Sequence, residues 1–252
     1  MKVKKCLFID LDGTLLNNAK EISVYSLKIL KEWREKGGFC IATTGRSLRK
    51  FNQVVKDKIF DGYILHNGSL VFFEEKLLFK NQISFNAVNI FLKKIKTTNL
   101  CYGVEVDNCF YANYDGLETG PDLNVYTNQF DLMPKIPADK LIIIGKNFNK
   151  YKFLIPKSSY VCMLDNKTIC ITHKNANKLY AANALIKKLD ISQKNVYVFG
   201  NDHNDYELIK GFENSVAVKN AINSVKDIAR FVTLSNEENG VAKFIDLINK
   251  GR

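Results

Sequence analysis

The chain has 252 residues, 46% of them hydrophobic and 25% charged, with a formal net charge of +11. That is apolar material for one large domain or two modest ones with real cores, which excludes a chain too polar to fold. No apolar run approaches the roughly 18 to 20 residues of a membrane span, and MKVKK leads into a strand rather than a signal-peptide core, so a cytoplasmic protein is expected.

The basic excess is spread as +6, +3 and +2 over residues 1–80, 81–177 and 178–252. No single basic stripe forms, which argues against nucleic acid and for a lysine-rich surface that attracts small anions. The six cysteines show no CxxC spacing. Most lie in apolar runs, where a thiol acts as a small hydrophobe rather than a zinc ligand or half of a disulfide.

In chain order, CLFIDLDGTLL opens with consecutive apolar residues, as in a strand covered on both faces, and ends in Asp10 and Asp12 with Gly13 supplying a turn. Ser23 then caps a helix carrying Val24, Leu27, Leu30 and Trp33 at helical spacing, and Gly37-Gly38 ends it. FCIAT, from Phe39, reads as a second parallel strand that stops at Thr44-Gly45-Arg46. Tyr63 to His66 is a third strand, followed by NGS and a hairpin over Leu70–Phe73 and Leu77–Phe79.

From Ile83 to His173 the rhythm changes. A helix over Phe85–Lys96, strands at Cys101–Val106 and Cys109–Asn113, a long unpatterned stretch over 114–137, a strand at Leu141–Ile144, a short helix around Tyr151, and strands at Tyr160–Leu164 and Thr168–Thr172 read as a separate antiparallel unit. Its aromatic residues, Tyr102, Phe110, Tyr111 and Tyr114 among them, read as core rather than as a sugar platform. The parallel pattern returns with a helix over Lys178–Leu189, a strand Val196–Phe199, GNDHND, a helix Tyr206–Ile209, and strands Val216–Val218 and Phe231–Leu234. The expected organisation is a discontinuous α/β core, 1–80 and 178–252, with 81–177 inserted as a cap.

Polar clusters fall at strand ends, where open α/β sheets bind ligands. They suit phosphoryl transfer through an aspartyl-phosphate, in which a carboxylate attacks phosphorus and water later releases it. Asp10, first off the strand, is the candidate nucleophile, and Asp12 the candidate general acid and base. Backbone N–H groups around Leu11 can form an anion nest. Two carboxylates facing a phosphate need opposing charge, which Mg²⁺ with the acids of GNDHND, together with Thr44, the Gly45 amide and Lys178, can provide.

These residues resemble the haloacid-dehalogenase-like phosphatases, in particular the Cof-type sugar-phosphatase branch with a type IIB cap. DLDGT at 10–14, TGR at 44–46, Lys178 and GNDHND at 200–205 match the four motifs in order, and the NG of HNGS at 67–68 is similar to this branch. The resemblance spans essentially the whole chain. It implies a Rossmann-type doubly wound parallel sheet with an inserted α+β cap, and a Mg²⁺-dependent phosphomonoesterase for a small phosphorylated metabolite, a sugar phosphate foremost. By position it makes Asp10 nucleophile and metal ligand, and Asp12 acid/base with its carbonyl on the metal. Leu11 N–H, Thr44, Gly45, Lys178 and Asn204 would then bind phosphate.

Asn201 stands where the family usually has a metal-binding aspartate, so either Mg²⁺ is held more weakly through an uncharged amide oxygen, or neighbouring Asp205 or Asp202 carries the charge. Arg46 is placed between substrate contact and structural ion pair. The alternatives are a phosphomutase of the phosphomannomutase type and a non-catalytic phosphometabolite-binding protein. No membrane or nucleic-acid partner is expected, and the chain should be a monomer or weak homodimer.

Overall fold

A computed structural model describes residues 4–114, 124–145, 148–163 and 167–251. The first strand, β1 (Cys6–Asp10), is buried along its whole length, because it lies mid-sheet with helices on both faces. The other strands of its sheet are β2 (Phe39–Thr43), β3 (Gly62–Leu65), β4 (Leu70–Phe73) and β5 (Lys76–Lys80). The sheet is completed from the far end of the chain by three more strands, Val196–Gly200, Asn214–Val218 and Phe231–Thr233.

Between them come the strands of a second sheet, β6 (Cys101–Val106), β7 (Cys109–Ala112), β8 (Val125–Thr127), β9 (Lys140–Ile144), β10 (Ser159–Met163) and β11 (Thr168–His173). The three late strands are therefore β12, β13 and β14. The large sheet has the order β14-β13-β12-β1-β2-β3-β4-β5 and the small one β10-β11-β9-β6-β7-β8. In the large sheet β1 pairs parallel with both β2 and β12, so the order reverses at β1, the kind of switch point beside which such sheets open a crevice. Only the β3-β4-β5 hairpin edge is antiparallel.

Seven α-helices accompany these strands among the described residues: α1 (Val24–Glu35), α2 (Leu48–Val54), α3 (Phe85–Ile95), α4 (Lys178–Leu189), α5 (Tyr206–Gly211), α6 (Asn223–Lys226) and α7 (Gly240–Asn249). Ser23 caps α1 by accepting from Ser26 N, but the buried stripe is Ser26, Ile29, Leu30 and Trp33, and Val24 is exposed. The cap position fixes the helix start, so Val24 falls on the solvent side. Three helices have no counterpart in the sequence reading: α2, α6 and α7. Within the 114–137 stretch, expected as a loop, lie the short strand β8 and a 3₁₀ turn at Phe130–Leu132, with β8 pairing parallel to β7. Residues 115–123 of that stretch lie outside the described residues. So does Leu164, the expected end of β10, and the helix expected around Tyr151 is a 3₁₀ segment over Phe148–Leu154.

The two sheets have separate apolar cores. One packs β1 to β4 and β12 to β13 with α1, α4 and α7. The other packs α3 on one face of the small sheet and contains Tyr102 and Tyr111, while Phe110 joins Ala112 and Ile142 on the opposite face. Polar contacts tie the sheets together: Arg49 of α2 forms a buried bidentate ion pair with Glu105 of β6, and Ser69 Oγ donates to Asp139 O at 2.6 Å. Among the described residues no helix is long and apolar enough to cross a membrane.

Candidate active site

β1 delivers Asp10 to its carboxyl end with 3% of the residue exposed. Lys178, at the first turn of α4 behind the Asn177 cap, is fully enclosed, and its Nζ donates to Asp10 Oδ1 at 2.7 Å and to Asp205 Oδ1 at 2.6 Å. Burial, with the Asp205 charge adding to it, pushes the Asp10 carboxyl up to about 7 against the pull of Lys178. For Lys178 burial works downward, but the two carboxylates outweigh it and hold the ammonium above its ordinary value. The three groups form a buried triad carrying one net negative charge when both acids are ionised.

After β1 the chain folds back sharply. Gly13 has φ +76°, and Leu11 O accepts from Thr14 N at 3.2 Å and Leu16 N at 2.9 Å. The turn presents Asp12 half-exposed beside the triad. Arg46 grips it with both arms, Nε to Oδ2 and Nη2 to Oδ1, each at 2.7 Å, while Lys20 Nζ reaches Oδ1 at 2.9 Å. Burial raises the Asp12 carboxyl, but Arg46 first and Lys20 second overcome this and hold it down at about 2. The Arg46 side chain thus makes an ion pair.

Thr44 and Gly45 follow β2. Thr44 is 1% exposed and its Oγ1 accepts from Arg46 N at 3.1 Å. Their wall is completed by a segment absent from the sequence-derived site: His66 and Asn67 both take left-handed backbone, with φ +51° and +58°. Asn67 N donates to Thr44 O at 2.9 Å, and Asn67 Oδ1 accepts from Asn204 Nδ2 at 3.1 Å. Asn67 therefore joins the second motif to the fourth. The adjacent Gly68, at φ +120°, lies against Asn177, where a Cβ would meet the carbonyl oxygen at 2.7 Å. Gly68→Ala is expected to cost roughly 1–3 kcal/mol of stability. Because Asn177 immediately precedes Lys178, activity should fall further than the lost folded fraction explains, which thermal melts paired with turnover will measure.

The GNDHND segment follows β12. Asp205 is buried, and both its oxygens are engaged: Oδ1 by Lys178, and Oδ2 by Asn201 N at 2.9 Å and Asp202 N at 3.2 Å. Asp202 turns its Oδ1 back to His203 N at 2.7 Å. Neither carboxylate is brought into a group with Asp10 and Asp12 as a ligand cluster, and among the described residues no three His, Cys, Asp or Glu side chains form one. Asn201 does reach those residues. In the orientation that satisfies its neighbours, its amide nitrogen donates to Asp12 O at 3.1 Å, Thr14 Oγ1 at 3.0 Å and Asp10 Oδ2 at 3.2 Å.

That convergence decides whether a hard cation fits. Asp10 Oδ2, the Asp12 carbonyl and the Asn201 side chain meet at one point, and half a turn of the amide presents Oδ1 in place of the nitrogen, giving an oxygen set of the kind Mg²⁺ takes. The set carries one carboxylate, and Asn201 supplies no charge. Two cations of the site region, Lys20 and Lys140, lie outside the four motifs, and no local pattern in the sequence marks either of them.

A family model described as haloacid dehalogenase-like hydrolase matches residues 7–245. Similar proteins include the 5-amino-6-(5-phospho-D-ribitylamino)uracil phosphatase YcsE of Bacillus subtilis, 26% identical with 96% of this chain and 94% of that protein covered. Phosphoglycolate phosphatase 1 of Saccharolobus solfataricus is 25% identical, covering 98% of this chain and 96% of that protein. Among solved structures, that of the subclass IIB sugar phosphatase BT4131 superposes with a TM-score of 0.84 at 19% identity, covering 97% of this chain and 99% of that one. With a family match over nearly its whole length on a fold shared at that similarity, the chain belongs to the haloacid dehalogenase-like hydrolases.

Proposed function

We propose that this hydrolase cleaves a small phosphoric monoester in two steps, with Asp10 as nucleophile and Asp12 as acid and base. The observation that carries the reading is the buried bridge of Lys178 between Asp10 and Asp205, with the Asp12 carboxylate two residues from the nucleophile. A lysine held charged inside the core has little structural rationale where hydrophobic packing would serve, but it suits a site that must accept a phosphoryl dianion beside a carboxylate.

In the first step an Asp10 oxygen bonds to phosphorus as the bond to the leaving oxygen breaks, and that oxygen takes a proton from Asp12. In the second, water attacks phosphorus and gives its proton to Asp12 as the O–P bond of the Asp10 acyl phosphate breaks, regenerating the carboxylate and releasing phosphate. Leu11 N–H, Thr44, Gly45, Lys178 and Asn204 are assigned to the phosphoryl oxygens. Mg²⁺, held by Asp10, the Asp12 carbonyl and Asn201, would supply charge that offsets repulsion between substrate and nucleophile. Arg46 and Lys20 hold Asp12 ionised, the state of a base. For the first step both cations therefore turn to the incoming phosphoryl oxygens, while Asp12 takes up the proton that a monoanionic monoester carries and passes it to the leaving oxygen. The large sheet, residues 1–80 and 178–252, acts as the catalytic core and 81–177 as the cap that shapes the pocket.

The test is phosphate release from a panel of sugar phosphates, nucleotides and an aryl phosphate, with Mg²⁺ or with chelator. Release that stops on chelation is expected. An isomerised sugar phosphate without free phosphate would indicate a mutase, and tight binding without turnover a binding protein. Asn201→Asp restores a charge to the metal set and removes the amide donor, so it is expected to lower the Mg²⁺ concentration for half-maximal activity by roughly tenfold. An unchanged requirement would show that Asn201 is not a ligand.

A further inference from the structure

Lys140 opens β9 on the small sheet, directly opposite Glu105 of β6, and is 6% exposed. Glu105 does not serve it: both Glu105 oxygens pair with the Arg49 guanidinium from the large sheet, and Arg49 Nη1 also donates to Asn108 O at 2.9 Å. The neighbouring Asp139 accepts from Gln82 Nε2 at 2.8 Å. An ammonium has three donors. Among the described residues that of Lys140 makes one hydrogen bond, to Gly45 O at 3.2 Å, and no ion pair.

Lys20 and Arg46 share the one Asp12 carboxylate, each in an ion pair with it, and Lys178 lies between two acids. Lys140 is the buried cation of the site region that makes no direct ion pair among the described residues; the neighbouring Asp139 carboxylate feels its charge through space but does not contact it. Gly45, to which it is tied, touches Asn67, and Asn67 holds Asn204, so the ammonium stands at the wall of the proposed phosphate cradle. It reaches Gly45 at the carbonyl, whereas the cradle uses the amide. A desolvated ammonium with unfilled donors is costly unless an acceptor completes it, and an anion does so best.

We propose that Lys140 determines specificity by binding an anionic substituent, a carboxylate or a second phosphoryl group, on the leaving alcohol of the substrate. The proposal rests on the phosphomonoester reading and goes beyond it by naming the leaving-group class. Neutral leaving alcohols leave Lys140 with the Gly45 carbonyl alone, so discrimination comes from an unfilled buried charge as much as from a favourable contact.

The experiment compares kcat/KM for phosphoglycerate against glycerol phosphate, and for a sugar bisphosphate against its monophosphate, in wild type, Lys140→Met and Lys140→Arg. Wild type is expected to favour the anionic member of at least one pair by roughly 10- to 100-fold, Lys140→Arg to keep most of that preference, and Lys140→Met to reduce it to about twofold. The first pair reports a carboxylate and the second a phosphoryl group. Because each ratio is taken on one preparation, loss of folded protein cancels. A wild type with no preference in either pair overturns the proposal, as does a Lys140→Met variant that slows both members of the pairs by the same factor, since Lys140 would then serve the transferring phosphoryl group.

If no phosphomonoester is turned over, the aryl phosphate included, the hydrolytic reading has failed. The proposal is then decided by calorimetric titration of phosphoglycerate and glycerol phosphate into wild type and Lys140→Met. Tighter binding of the acid, lost in the variant, upholds it, and equal binding of the two overturns it.

Discussion

Asp10→Asn is expected to reduce phosphate release by roughly 10⁴-fold or more, with a thermal midpoint at about pH 8 no lower than that of the wild type. The loss of rate follows from the proposed chemistry, since an amide oxygen neither attacks phosphorus well nor leaves it as a carboxylate. The retained stability follows from the triad. Asp10, Lys178 and Asp205 bury two acids with one base, and substitution by Asn leaves one acid with one base while keeping an oxygen within reach of Lys178 Nζ. The Asp10 carboxyl is already pushed up to about 7 by burial and by Asp205, so its charged form is disfavoured inside the protein. Kinetics of phosphate release and a melt on the same sample separate this from simple misfolding, which would lower both. A variant that kept a tenth or more of the activity would remove Asp10 from the role of nucleophile.

The strand carrying Asp10 was legible because its apolar residues run consecutively and the acids interrupt them at the sheet's carboxyl edge, which needs only local pattern. The same holds for FCIAT and the turn after it, and for Ser23, whose cap is read from its position ahead of an apolar helix. By contrast α2 was hidden, because LRKFNQV buries only Arg49 and Phe51, and a helix that packs with an arginine shows no apolar period. The strand β8 was hidden for a related reason. It has three residues and is held by a parallel partner that sequence spacing does not reveal.

The candidate site divides along the same line. Residues that leave a strand end were visible as motifs, whereas roles set by long-range partners were not. Arg46 pairs with Asp12 across 34 residues, Asn67 with Asn204 across 137, and Lys140 with Gly45 across 95. Asp205 shows the converse. Its place in an acidic turn reads as a metal ligand, yet the fold uses both oxygens, one to hold Lys178 and the other to close the turn.

Lys178→Met is expected to cost roughly 3–5 kcal/mol of folding stability at about pH 8, together with most of the activity. Removing the ammonium leaves Asp10 and Asp205 buried with like charge, and the methionine fills the space without meeting either oxygen. Linkage gives the loss a signature. A carboxyl whose folded-state pKa lies above its unfolded value, as Asp10 does at about 7 against 3.8, binds more protons folded than unfolded. Its contribution is therefore full below the unfolded value and is lost as pH rises through the folded one. Without Lys178 that folded value moves higher still, so urea denaturation should find the variant closest to wild type near about pH 5 and further from it with each step towards about pH 8. Adding Asp205→Asn to Lys178→Met removes one of the opposed charges and is expected to recover a large part of the stability without restoring turnover. That split distinguishes a lysine needed to stabilise the transferring phosphoryl group from one needed only to hold two acids in the core. Recovery of activity along with stability in the double variant would assign Lys178 a purely structural role.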